Sequence, residues 1–223
     1  SGGCTCVLRP PVGELLAYPG VDALLSGDNG ALGPHRRAVT LSQVDSRLPA
    51  DVMPTAGVPR HTETPQTLFV TGAAGFLGSR IVGELPASTT AEINCLVREK
   101  DSGAAHQRLL GALEATEGWR PEHQERIRAI PGDLALPGLG LTGEERQRLA
   151  EEADAVYHVG AAVNWAYPYA GLRDVNVRST LELLRIACAT RPTPFHYVST
   201  LAVCWSTTAT GRVDEQTPPA PEG

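Results

Sequence analysis

The first chemistry in the sequence is a glycine turn. Gly72-Ala73-Ala74-Gly75-Phe76-Leu77-Gly78 follows the β-prone run Thr67-Leu68-Phe69-Val70-Thr71 and opens a helical stretch, Phe76 to Leu85, that Pro86 is expected to stop. At such a junction the backbone N–H groups and the positive helix end face a pyrophosphate. Gly72 permits the tight turn, Gly75 the close approach of phosphate, and Gly78 close packing of helix on strand. Thr71, Ala74, Phe76 and Leu77 join the glycines as candidate cofactor-binding residues. Twenty residues after Gly78, the strand-like Cys95-Leu96-Val97 ends in Arg98. Dinucleotide proteins read the adenosine ribose here, with an acid for a 2′-OH or an arginine for a 2′-phosphate. A planar guanidinium at this point predicts NADPH over NADH. Glu99, next in the chain, is the competing signal.

Other chemistries fare poorly. Cysteines stand at 4, 6, 95, 188 and 204, an odd and irregular set that makes a poor disulfide framework. Cys4-Thr5-Cys6 lacks the spacing and the second ligand pair of a zinc site. Cys95 and Cys188 fall in apolar runs and are expected in the core. The chain is read as cytoplasmic.

The elements that must position the turn come in alternation. Ile93 to Val97 reads as a second strand, His106 to Leu113 as a helix, and Arg126 to Ile130 as a third strand closed by Pro131-Gly132. Thr142-Gly143-Glu144-Glu145 is a capping box that should open a helix reaching about Glu152. Ala155 to Val159 is a fourth strand. Val177, Leu181, Leu184 and Cys188 form one apolar face of a long helix, and Phe195 to Val203 a fifth strand. Strands separated by helices of this length predict an α/β fold: a doubly wound parallel sheet of the Rossmann type.

Residues 1–66 differ from the domain read over 67–223. They hold eight Pro and eight Gly, with room for one short helix from Glu14 to Leu25, and read as an irregular linker or arm. Over all 223 residues, 42% are hydrophobic and 20% charged, a globular mix. The net charge of −6 removes the field that a nucleic-acid backbone needs. No apolar run approaches a membrane span of about 20 residues, and no signal peptide is visible at the start.

The motifs resemble the extended short-chain dehydrogenase/reductases, and within them the thioester reductase domains of nonribosomal peptide synthetases, carboxylic acid reductases and aminoadipate reductase. The resemblance spans about residues 67–207. It rests on Thr71 to Gly78, Cys95 to Arg98, Gly132-Asp133-Leu134, Leu136 to Leu141, Tyr157 to Asn164, Pro168-Tyr169, Leu172-Arg173, Asn176-Val177 and Tyr197 to Thr200. Ser179 departs from it, since these relatives often carry Gly there.

The resemblance implies roles. Asp133 and Leu134 would border the adenine, and Val159, Gly160 and Ala161 would line the path to the nicotinamide. Arg108 is a second candidate for the 2′-phosphate. Asn176 would bond backbone, and His158 would be structural. Thr200, with Ser199 as fallback, would hydrogen-bond the substrate carbonyl oxygen. The family's further pair, Tyr-x-x-x-Lys, has no match: the one lysine is Lys100, and Leu96 stands four residues before it. The chain is accordingly read as the amino-terminal, cofactor-binding portion of a reductase, truncated at its C-terminus before the substrate region. The complete enzyme would pass hydride from NADPH to a thioester on a carrier protein's phosphopantetheine arm, giving an aldehyde or alcohol. A non-catalytic NADP-binding sensor or regulatory module, or an epimerase or dehydratase of the same fold, is the alternative.

Overall fold

The computed structural model describes residues 41–54 and 64–200, together with the paired strands Cys6–Val7 and Arg212–Val213. The chain divides into two compact units, Pro34–Val198 and a smaller one formed by Ser1–Gly33 with Ser199–Gly223. In the smaller unit, Cys6–Val7 and Arg212–Val213 run antiparallel. The expected helix from Glu14 to Leu25, and Cys4 with Thr5, lie outside the described residues.

The larger unit is built on five parallel strands: β1 Thr67–Thr71, β2 Glu92–Val97, β3 Ile127–Pro131, β4 Ala155–His158 and β5 Phe195–Tyr197. Their order across the sheet is β3-β2-β1-β4-β5. The chain thus starts in the middle, winds outward one way, then returns to β1 and winds the other way. Period-two alternation splits the core between the two faces. Leu68 and Val70 pack with Ile93, Cys95 and Leu109 on one face, whereas Phe69 packs with Leu96, Leu149, Val156 and Leu183 on the other. Buried Asp154 fixes the entry to β1 by accepting from the backbone N–H of Gln66 (2.7 Å) and of Thr67 (3.0 Å).

Helix α1 spans Phe76–Ser88, so Pro86 lies within its last turn and does not end it. The Arg126 guanidinium donates to the carbonyls of Pro86 and Thr89 at 2.7 Å each and satisfies acceptors left over at the helix end. Helix α2, Ser102–Glu114, starts four residues before the expected His106 because the Asp101 carboxylate caps it, accepting from Ala104 N–H at 2.8 Å. Helix α3, Gly143–Glu152, has both bonds of the Thr142–Glu145 capping box.

The last helical segment departs most from the periodic reading. It comprises α4 Tyr169–Arg173, a π-helical turn Asp174–Arg178 and α5 Ser179–Cys188. The buried face is Ser179, Leu183, Ile186 and Ala187, whereas Val177, Leu181, Leu184 and Cys188 are half-buried. Two apolar stripes share this helix, and periodicity alone does not say which one meets the sheet. The π turn has a local cause. The hydroxyls of Ser179 and Thr180 donate to the carbonyls of Val175 and Asn176, four residues back, and compete for the helical ladder. The unexpected Ser179 is therefore buried but satisfied.

Candidate functional site: a cleft at the carboxyl ends of β1, β2, β3 and β4

Gly72 adopts a left-handed φ of 73°, and a Cβ there would lie 2.5 Å from the nitrogen of Gly160. On Gly78 a Cβ would lie 2.0 Å from the Gly72 carbonyl oxygen, closer than any side chain can come. The β1 end, the α1 start and the β4 end thus touch backbone to backbone. Helix α1 begins at Gly75 with no side-chain cap and no acid in its first turn. Its orphan N–H groups and positive end are left for an anion.

Around this turn lies a cleft of about 460 Å³. Its walls include Gly72, Ala74, Gly75, Phe76, Leu77 and Gly78 of the turn, Arg98 and Arg108, Asp133 and Leu134, and Val159, Gly160 and Ala161. Every candidate cofactor residue except Thr71 therefore lines one cavity. Thr71 is buried, and its hydroxyl lies 2.7 Å from His158 Nδ1. Leu96, Val97, Gly132, Ala135, Ala162, Val163 and Val175 also line the cleft; none was named as a cofactor contact, although all but Ala135 and Val175 lie within the motifs that carry the resemblance. Their positions beside marked strand ends were the available signal. Ser199 and Thr200 are exposed and belong to the smaller unit.

At the β2 end, Arg108 Nη1 donates to the Arg98 carbonyl (2.9 Å) and to Glu99 Oε1 (3.1 Å). The acid that competes with Arg98 is thus paired to Arg108 and not aimed alone at a ribose. A second recess, of about 600 Å³, also borders Arg98 and Asp133.

At the β3 end, Gly138, Leu139 and Gly140 all have positive φ, with Leu139 at 64° and fully buried. A left-handed leucine costs about 1–2 kcal/mol. Its side chain is held in the core below β1, and its carbonyl accepts from Asp133 N–H at 2.8 Å. The strained loop so anchors Asp133.

At the β4 end a directional chain of hydrogen bonds fixes His158. Thr180 Oγ1 donates to the Asn176 carbonyl (2.8 Å) and so accepts from His158 Nε2–H (3.0 Å). His158 Nδ1 then accepts from Thr71 Oγ1 (2.7 Å), which in turn accepts from Gly160 N–H (3.3 Å). The bond from Thr71 to Nδ1 requires a neutral imidazole, and burial pushes its pKa down to about 4. His158 is 1% exposed and outside the cleft. Asn176 bonds backbone, its Oδ1 accepting from Ala162 N–H (2.7 Å) and its Nδ2 donating to Ala162 O (2.9 Å). Among the described residues no group of three or more His, Cys, Asp or Glu is placed to hold a metal.

A parallel sheet whose strand order reverses between β1 and β4, with a glycine turn at the reversal, defines a doubly wound nucleotide-binding domain. Comparison with known proteins makes this particular. Residues 70–222 match the NAD-binding family described as male sterility protein, and the chain belongs to that family. It is 42% identical over 160 residues to the isonitrile lipopeptide synthase of Streptomyces coeruleorubidus, covering 71% of this chain and 11% of that protein. It is 31% identical over 210 residues to L-2-aminoadipate reductase of Saccharomyces cerevisiae, covering 85% of this chain and 15% of that enzyme. The solved terminal R domain from the myxalamid PKS-NRPS biosynthetic pathway superposes with a TM-score of 0.70 at 42% identity, over 74% of this chain and 42% of that one. The reductase domain of a nonribosomal peptide synthetase from Mycobacterium tuberculosis gives 0.57 at 33% identity, over 72% and 37%. The chain therefore spans less than half the length of each of these relatives.

Proposed function

We propose that this chain is the NADPH-binding portion of a cytoplasmic reductase that acts on an acyl or peptidyl thioester carried on a phosphopantetheine arm. The observation that carries the reading is the single cleft uniting an uncapped helix start, a side-chain-free Gly72–Gly160 contact and Arg98. The residues fit the cofactor. The turn from Gly72 to Gly78 would hold its pyrophosphate, Arg98 and Arg108 its 2′-phosphate, Asp133 and Leu134 its adenine, and Val159 to Ala161 its nicotinamide half. Thr71 would act from behind, through His158 and Gly160. Bound there, NADPH supplies the hydride. Thr200, or Ser199, would hydrogen-bond the carbonyl oxygen under reduction and stabilise its developing charge. The terminal reductase domains among the similar proteins support the thioester class. No described helix is long and apolar enough to cross a membrane.

Titration of the chain with NADPH and NADH tests the reading. NADPH should bind at least tenfold more tightly, equivalent to about 1.4 kcal/mol, and Arg98→Ala should erase the preference. Equal affinities in the unaltered chain would overturn the 2′-phosphate assignment, and no binding of either would overturn the reading altogether. The sequence also favours a second reading, binding without turnover by this chain alone. Its one lysine has Leu96, buried in β2, where a Tyr-x-x-x-Lys pair would need tyrosine. Turnover of an acyl-pantetheine thioester by the chain would exclude that reading.

A further inference from the structure

Tyr169 and Arg173 stand in motifs that the cleft does not use, yet both side chains converge on one carboxylate far away in sequence. The Tyr169 hydroxyl donates to Asp45 Oδ2 at 2.5 Å, Arg173 Nε to the same oxygen at 2.5 Å, and Arg173 Nη2 to Oδ1 at 2.6 Å. The Asp45 side chain is 9% exposed. Bidentate, charge-assisted and largely dry, this contact differs in kind from a surface ion pair of near-zero worth. The Arg173 hydrogen bonds hold the Asp45 carboxyl down at about 2, so it is charged throughout the working range. Farther along the same arm Val52 is buried and Asp51 accepts from Arg185 Nε at 2.7 Å. Part of a stretch that composition reads as a loose arm is thus docked along α4 and α5.

Arg173 is the last residue of α4, and the π turn begins at the next position. A π turn is rare, and is found mostly as a single turn within a helix at a functional site. On its far side Ser179 and Thr180 hold it. On its near side the fixed point is Asp45. Between these anchors lies Asn176, which grips both backbone groups of Ala162, a residue of the cleft wall.

We propose that Asp45 is a positioning residue for the cleft, acting through Tyr169 and Arg173 on the π turn, and through Asn176 on the wall from Val159 to Val163. The segment 41–54 is then a working part of the nucleotide domain and not a tether beside it. The proposal rests on the dinucleotide reading of the cleft, but its test does not.

Amide hydrogen exchange on the whole, cofactor-free chain reads it directly. In Asp45→Asn the Ala162 amide should exchange about two- to thirtyfold faster, the range expected for a residue that couples to a site without touching it. The β1 amides of Phe69 and Val70 should keep their rates, as a general loss of stability would not allow. Tyr169→Phe, which leaves the ion pair intact, should give a smaller acceleration at Ala162 and carries the test if Asp45→Asn does not fold. Asp51→Asn, on the exposed pair, should leave Ala162 unchanged. The proposal fails if 41–54 loses protection while Ala162 does not, or if Ala162 and Phe69 speed up by the same factor. A chain that binds no dinucleotide would sink the functional reading and leave this exchange result standing.

Discussion

The two ends of the cleft are held by different means. Where β1, α1 and β4 meet, backbone touches backbone: Gly72 lies against Gly160, and Gly78 under the Gly72 carbonyl. Along the wall from Val159 to Val163, side chains reach in from elsewhere. Asn176 holds Ala162, Thr180 holds His158, and Asp45 holds the helix that carries Asn176. At the end of that wall Val163 is 82% exposed, and beyond it Trp165 is 85% exposed. Contacts made of backbone tolerate no substitution, whereas contacts made of side chains fail in part and one at a time. The phosphate end should therefore break all at once, and the opposite wall by degrees.

The sharpest test is Gly78→Ala. The added Cβ would meet a backbone carbonyl at 2.0 Å, and no rotamer can relieve a clash with backbone. A cost on the order of 4 kcal/mol is expected, at the upper end of single substitutions, with loss of dinucleotide binding. Thermal melting and NADPH titration would check it. A variant that melts and binds like the parent would mean that α1 is not seated as described.

On the other side of the comparison, His158 makes a graded prediction about pH. Its folded pKa is lowered to about 4 from an ordinary 6.5. Between those values the unfolded chain takes up a proton that the folded chain refuses. Stability should be unaffected by this group above pH 6.5, fall as pH drops below it, and level off near 4. The total is about 3 kcal/mol at 1.36 kcal/mol per pH unit. Carboxylates titrate in the lower part of the window, so the difference in unfolding free energy between the parent and His158→Gln isolates the histidine between pH 6.5 and 5. A flat difference there would show that the imidazole is solvated.

A graded effect is expected of Asn176→Ala, which strands the N–H and C=O of Ala162 while leaving every glycine contact in place. These groups are only half-buried, so water partly replaces the lost bonds and a cost of about 1 kcal/mol, the lower end for unpaired backbone groups, is expected. The variant should still bind dinucleotide, more weakly, and Ala162 should lose its exchange protection. Complete loss of binding would erase the distinction between the two ends.

The same division explains what the sequence disclosed. The glycine turn, the alternation of strands and helices, and the Thr142 capping box are local signals, each written in neighbouring residues. All but one of the residues read from motifs as holding the cofactor line one cleft, because strand ends of a parallel sheet gather at one edge. What stayed hidden depends on partners distant in the chain. Arg126 closes the end of α1 from 40 residues away, and Asp45 finds Arg173 128 residues on. The apolar face of α5 was misread for a third reason. Leu181 and Leu184 are as apolar as Leu183 and Ile186, and only the sheet decides between the stripes.

Asp101→Ala sharpens the comparison with the smallest expected effect. Asp101 caps α2 through one bond to Ala104 N–H, and α2 carries Arg108, whose guanidinium holds the Arg98 carbonyl. Loss of such a cap costs about 1 kcal/mol, and the capping bond is exposed, so repacking adds little. Because α2 also buries Ala105, Leu109 and Leu113 against the sheet, its axis should stay in place. Only its first turn, next to Arg98, should fray. The variant should therefore melt a few degrees lower and weaken NADPH slightly while leaving NADH unchanged, since only the former carries the 2′-phosphate that Arg98 and Arg108 would read. Equal weakening of both would mean that the end of β2 serves the adenosine as a whole and not its extra phosphate.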